Sequence, residues 1–223
     1  MTDLAIYDLD RTLTRRATYT PFLLHCAARR APWRLGLLPV TAASMLAYGA
    51  RLIDRGRLKE INHRLLLGSA IHPRDLKPLV DSFADVTVAG NIRPGALKAI
   101  ARDKAQGRRL VLATASYRLY ADAIAERLGF DDVIGTGSVI GLDERVHARI
   151  LGENAYGEAK LRMIAEWVEK SGLKGKHGHV RFYSDHASDA PTFEWSDEPV
   201  AVNPHGPLKR LAKARGWAVE DWA

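Results

Sequence analysis

Asp8 and Asp10 close a short apolar run in the stretch Asp3-Leu4-Ala5-Ile6-Tyr7-Asp8-Leu9-Asp10-Arg11-Thr12-Leu13-Thr14. The run reads as a buried strand. Side chains alternate along an extended backbone, so both carboxylates should point to one side if strand geometry persists through Asp10. Two like charges that close raise each other's pKa unless a cation or a donor compensates. At the mouth of a buried strand, such a pair is a candidate metal site. On these residues alone, an Asp-rich turn after a strand is the competing reading, and the rest of the chain must decide.

From Arg93-Pro94-Gly95 onward, helix and strand alternate. Residues 96–106 read as a helix with Pro94 near its start and Gly107 at its end. Residues 109–113 form a second buried strand running into Thr114-Ala115-Ser116, and 119–128 a helix closed by Gly129. A short strand at 133–135 precedes an alternating segment, 138–150, that reads as a β-hairpin excursion. A helix at 158–171, strands at 180–185 and 199–202, and a helix at 207–215 complete the series. Strand–helix–strand repeated in this way predicts an α/β fold with a doubly wound parallel sheet. Ligands bind such a sheet beyond the carboxyl ends of its strands. Those ends carry Asp8 and Asp10, Thr114 and Ser116, and Asp185 with Asp189 one turn on, while Lys160 begins a helix just after Gly157. Hard oxygen ligands select Mg²⁺, which takes one or two carboxylates and keeps waters that a phosphate can replace. Lysine and hydroxyl groups then donate to phosphoryl oxygens.

These residues carry a family resemblance. Asp8-Leu9-Asp10-Arg11-Thr12 resembles the DxDxT motif of the haloacid dehalogenase (HAD) superfamily of phosphohydrolases. Ala113-Thr114-Ala115-Ser116 resembles its second motif, Gly157-Glu158-Ala159-Lys160 its third, and Ser184-Asp185-His186-Ala187-Ser188-Asp189 its fourth. The match covers residues 1–14 and about 90–204. A helical insert between the first two motifs resembles subfamily IB, which includes the phosphoserine phosphatases.

The resemblance implies a Rossmann-like core at 1–14 and 90–223, a helical cap at 15–89 and a set of roles. Asp8 is implied as the nucleophile that forms an aspartyl-phosphate. Asp10 is implied as the acid that protonates the leaving oxygen and then activates water. Asp8, Asp185 and the Asp10 carbonyl are implied to bind Mg²⁺, and Asp189 to support the metal or Lys160. Lys160, Thr114 and Arg11 would bind the phosphoryl group. Ser116 reads as a turn residue, and His186 has no role assigned. The phosphoserine branch carries a glutamate seven residues after the second motif aspartate, where this chain has Ala17. That departure argues against phosphoserine as substrate.

Composition bounds the partners. The single Cys26 excludes an internal disulfide, and no Cys/His spacing suggests zinc. No signal peptide is evident at the N-terminus, so a cytoplasmic protein is expected. The formal charge is +7, and all of it lies between Arg15 and Ala89, which hold 12 Lys+Arg against 5 Asp+Glu. From Arg15 to Ile53 there are six arginines and no acid. A segment of that kind meets something anionic. The apolar stretch between Arg34 and Arg51 has sixteen residues, too few to span a bilayer of about 20 residues. It reads as a helix hairpin buried in the cap, with an interfacial segment as the other reading. Hence the primary expectation is a phosphatase for a small phosphorylated metabolite. The alternatives are a lipid-phosphate phosphatase, like those acting on phosphatidylglycerophosphate, in peripheral contact with an anionic membrane at its inner face, and an inactive phosphate-binding protein. A response-regulator receiver has no such insert, and no nucleic acid partner is expected because no aromatic-interleaved basic strand or reading helix is present.

Overall fold

The computed structural model describes residues 1–173, 175 and 177–223. Its elements in chain order begin with β1 (Thr2–Tyr7), α1 (Tyr19–Arg30), α2 (Leu38–Gly49), α3 (Arg55–Leu66), β2 (Ala70–Ile71) and α4 (Pro73–Gly90). Then follow α5 (Pro94–Ala105), β3 (Arg109–Tyr117), α6 (Arg118–Leu128), β4 (Asp132–Ile140) and β5 (Val146–Leu151). The last are α7 (Glu158–Lys170), β6 (His177–Ser184), α8 (Ala190–Trp195), β7 (Glu198–Val202), α9 (Gly206–Arg215) and β8 (Ala218–Glu220).

Residues 4–7 of β1 are fully buried, as an apolar run covered on both faces must be. β1 accordingly takes a central place in one sheet ordered β2-β5-β4-β3-β1-β6-β7-β8. The six strands from β4 to β8 in that order are parallel, and β5 and β2 add an antiparallel edge. Ala5 and Tyr7 point to one face with α1, α4, α5 and α6, whereas Leu4 and Ile6 point to the other with α7, α8 and α9. The chain leaves β1 for β3 on one side and later returns to β6 on the other. The strand order therefore reverses at β1, and a crevice opens at its carboxyl end.

Strand geometry stops at Tyr7, one residue before the first carboxylate. Residues Leu9–Leu13 form a wide turn in which Arg11 takes φ 65°. The Thr14 hydroxyl holds this turn, accepting from the Arg11 N–H at 3.1 Å and donating to the Leu9 carbonyl at 3.0 Å. The expected common direction of Asp8 and Asp10 is thus lost, and their side chains go to different partners.

Residues 35–53 also differ from the buried hairpin that their apolarity suggests. A short 3-10 turn, Pro32–Leu37, leads into the single helix α2, with Pro39 in its first turn where a missing N–H costs nothing. Most of its apolar side chains face outward. Among the described residues, no helix is long and apolar enough to cross a membrane. Two short strands, β2 and β8, lie where the sequence carries too few residues for a pattern.

Gly95 lets the chain pass against Trp222, whose ring stacks toward Tyr183 at 5.2 Å. A Cβ at Gly95 would stand 2.5 Å from the Trp222 backbone. Gly95→Ala is expected to destabilise the fold by about 1–3 kcal/mol through overpacking. Thermal melting should record a loss of roughly 2–12 °C, and an unchanged midpoint would contradict this contact.

Candidate active site

The crevice at the end of β1 holds a cavity of about 200 Å³ lined by Asp8, Asp10, Arg11, Thr114, Lys160 and Asp185, with Asp189 and His186 alongside. All seven of the motif residues singled out in the sequence meet here. Lys160 lies at its centre, donating from Nζ to Asp8 Oδ1 at 2.9 Å and to Asp189 Oδ2 at 2.7 Å. Gly157 makes that approach possible. Its φ of 60° with ψ of −130° is a conformation that side chains disfavour, and it aims the first turn of α7 into the crevice. Burial alone depresses the Lys160 ammonium, but Asp189 and Asp8 reverse this and hold it above the ordinary lysine range.

Asp8 and Asp185 bracket the Thr12 hydroxyl, whose oxygen lies 3.3 Å from Asp8 Oδ2 and 3.2 Å from Asp185 Oδ1. It also accepts from the Asp185 N–H at 2.9 Å. One hydroxyl proton cannot serve both carboxylates at once. Burial pushes Asp8 up to about 7, opposed by the Lys160 charge and reinforced by Asp189 and Asp185. Burial likewise raises Asp185. Asp189 spends Oδ2 on Lys160 and on the Ser184 hydroxyl at 2.6 Å, while its Oδ1 is buried with no hydrogen-bond partner.

Three buried carboxylates thus surround one ammonium, and an acid oxygen is left orphaned. This excess of negative charge fits a small divalent cation. Among the described residues, no group of three or more His, Cys, Asp or Glu side chains is disposed to hold a metal unaided. The carboxylates of Asp8 and Asp185 are hard oxygen donors, which suit an ion that keeps several waters, as Mg²⁺ does, and not structural zinc.

Asp10 turns the other way. Its Oδ1 accepts from both the N–H and the hydroxyl of Thr18 at 2.7 Å, and its Oδ2 accepts from the Ser116 hydroxyl at 2.7 Å. Three donors fix one carboxylate beside the cavity. Ser116, read from sequence as a turn residue, therefore orients Asp10. Thr114 lines the cavity and accepts from the Ser116 N–H at 3.0 Å. Arg11 is exposed at the rim, as is His186, which accepts through Nδ1 from the Ser188 N–H at 3.1 Å.

The family model for haloacid dehalogenase-like hydrolases matches residues 5–194. The chain belongs to that family. Among relatives of this HAD hydrolase, phosphoserine phosphatase SerB1 of Mycobacterium tuberculosis is 28% identical over 227 residues, covering 100% of this chain and 71% of that protein. A histidinol-phosphatase of Neisseria meningitidis is 33% identical over 97 residues, but the match takes in only 43% of this chain and 44% of that protein. The structure superposes on that of a Bordetella pertussis protein of unknown function with a TM-score of 0.89, 26% identity and full coverage of both chains. A substrate-bound phosphoserine phosphatase shares the fold at a TM-score of 0.62 and 15% identity, over 94% of this chain and 90% of that one. This HAD chain is an enzyme of the phosphatase kind.

Two cavity residues have no signal in the motifs. Arg55, at the start of α3, stacks its guanidinium 4.2 Å above the Tyr156 ring, and both line the cavity. Behind them Lys59 is buried, donating to the Ala115 carbonyl and to Asn154 Oδ1, each at 2.5 Å. Burial and the neighbouring Arg55 depress it to about 7. Arg55 and Lys59 come from the helical segment and reach across to the end of β3, beside Thr114, and to the residues just before α7, which carries Lys160. A larger groove of about 620 Å³ between α4, α6 and β5 carries both charge signs and none of the motif residues, so the chemistry belongs to the smaller cavity.

The raised Asp8 has a consequence for stability. A carboxyl whose pKa rises on folding contributes stability that is complete below its unfolded value, near 4, and is lost as pH rises through about 7. Metal-free protein should thus melt lower at pH 8 than at pH 5. Asp8→Asn, neutral and similar in shape, should melt a few degrees above the parent at pH 8 and close to it at pH 5. Equal midpoints at pH 8 would remove burial of this charge as the cause.

Proposed function

We propose that the protein is a Mg²⁺-dependent phosphomonoester hydrolase working through an aspartyl-phosphate on Asp8. The observation that carries this reading is Lys160, which bonds Asp8 and Asp189 in one cavity with Asp10. An Asp8 carboxylate oxygen attacks phosphorus while the ester oxygen departs with a proton from Asp10. Asp10 then removes a proton from water, the resulting hydroxide attacks phosphorus, and the Asp8–phosphorus bond breaks to release phosphate. Lys160 and Thr114 donate to the phosphoryl oxygens as charge develops on them. Asp8, Asp185 and the Asp10 carbonyl would hold Mg²⁺, which when bound neutralises phosphoryl charge. Residues 1–14 and 90–223 act as the catalytic core in this reading, and 15–89 as the cap.

The substrate is a small phosphomonoester carrying a second anionic group. The cavity is small, and its rim offers Arg11, Arg55 and His186. Its four acids, Asp8, Asp10, Asp185 and Asp189, are engaged by Lys160, Thr12, Thr18 and Ser116. Ala17 lines the cavity where the phosphoserine branch supplies a glutamate. The unpaired acid oxygen Asp189 Oδ1 is buried, so the ammonium groups of phosphoserine and of histidinol phosphate would find no exposed carboxylate to spare. A lipid phosphate also presents a second anion at a headgroup, and the outward apolar face of α2 favours it as the alternative.

With Mg²⁺, hydrolysis of p-nitrophenyl phosphate should fall by at least about a thousandfold in Asp8→Asn and by about a hundredfold or more in Asp10→Asn. Activity that survives Asp8→Asn would sink the nucleophile assignment. Mg²⁺ should raise the melting temperature of the parent with concentration and leave Asp185→Asn unmoved, a readout that needs no turnover. In a screen of phosphomonoesters, Arg55→Ala should raise KM about tenfold or more for those with a second anion and leave p-nitrophenyl phosphate unaffected. A preferred substrate with an ammonium and no second anion would overturn the substrate reading.

A further inference from the structure

Helix α2 buries only Thr41 and Ser44. Thr41 donates to the Leu38 carbonyl at 2.7 Å, and Ser44 lies 2.7 Å from the Thr41 carbonyl and 2.8 Å from Asn62 Oδ1 on α3. The helix thus meets its neighbour through the Ser44 hydroxyl and turns its apolar side outward. Leu46 is 76% exposed, Leu52 just beyond the helix 77% and Trp33 just before it 68%. Of fourteen large apolar side chains exposed among the described residues, seven lie between Trp33 and Leu52. Singly exposed leucines need no explanation, but a concentration of this kind marks an interaction surface.

The charge around it selects the partner. Six arginines and no acid lie between Arg15 and Ile53. A second copy of the chain, paired face to face about a two-fold axis, would oppose arginine-only segments with no acid to neutralise them. An anionic bilayer accepts both features. Leu46, Leu52 and Met45 suit the acyl boundary, the exposed Arg29, Arg30 and Arg51 that flank this stretch in the chain would meet headgroup phosphates, and Trp33 and Tyr48 carry rings suited to the headgroup level. At 12 residues α2 is about 18 Å long, well short of the roughly 30 Å of a hydrocarbon core, so it lies in the surface. Leu52 stands three residues before Arg55, which lines the cavity.

We infer that the outward face of α2 docks the protein on an anionic lipid bilayer. The inference rests on this surface and is independent of the catalytic reading, because docking is measured without turnover. The test is co-sedimentation with vesicles of phosphatidylcholine alone and of equal parts phosphatidylcholine and phosphatidylglycerol. It is run with the parent, with Asp8→Asn and with the double variant Leu46→Glu, Leu52→Glu. Parent and Asp8→Asn should sediment with the anionic vesicles at about 0.1 M salt and be largely released at about 1 M, where the screening length falls from about 10 Å to about 3 Å. Neither should bind the zwitterionic vesicles appreciably. The double variant should bind anionic vesicles at least about tenfold more weakly while keeping the parent's circular dichroism and its rate on p-nitrophenyl phosphate. The inference fails if the parent does not bind anionic vesicles at low salt, or if the double variant binds as tightly as the parent. It fails equally if analytical ultracentrifugation finds a parent dimer that the double variant dissociates, since the face then belongs to a second copy.

Discussion

A buried ammonium survives only where carboxylates repay its lost hydration, and Lys160 is held on those terms. Asp8 follows β1, where the strand order reverses, Asp189 follows the neighbouring β6, and the lysine joins them from α7. Removing the lysine from such a cluster typically costs about 3–5 kcal/mol, because the buried carboxylates are then left uncompensated. The geometry of the crevice follows from this bond. Asp8 is aimed, Asp189 is pinned with one oxygen free, and α7 must begin at the conformation that Gly157 allows. The surplus of negative charge that remains is what makes the crevice hospitable to a divalent cation.

The second carboxylate is governed by a separate set of bonds. Thr18, at the threshold of α1, and Ser116, at the end of β3, both donate to Asp10, and the Thr18 hydroxyl lies 3.2 Å from the buried Tyr120 hydroxyl. Asp8 therefore answers to the sheet and α7, whereas Asp10 answers to the first residues of the helical segment. Two adjacent acids with separate supports can differ in role, as nucleophilic and proton-transfer chemistry require.

The parallel sheet was legible in the sequence because its inner strands are uninterrupted apolar runs, and the rule that ligands gather at strand ends then collects Asp8, Thr114 and Asp185 at one cavity. What escaped depends on long-range contact or on backbone detail. Lys59 reaches Ala115 across 56 positions of sequence, and Arg55 meets Tyr156 across a still longer gap, with no local pattern to signal either. The divergence of Asp8 and Asp10 follows from the turn that begins at Leu9 between them, which alternation cannot anticipate. The apolar run after Arg34 was visible, but apolarity alone does not tell an inward face from an outward one. Thr41 and Ser44, three residues apart on one side of an otherwise apolar helix, were the available clue.

The antiparallel edge of the sheet bears on how material reaches the crevice. β2 belongs to the helical segment yet pairs with β5, the Ala148 N–H bonds the Ser69 carbonyl at 2.9 Å, and Glu60 accepts from the Ile150 N–H at 2.9 Å. At the segment's other end, Thr14 bridges to Ile92. A body stitched along one edge and clasped at its base is not free to swing clear of the strands as a rigid flap. Traffic is left to the seam where Arg55, Tyr156 and His186 meet, a side door whose hinges are side chains and not backbone.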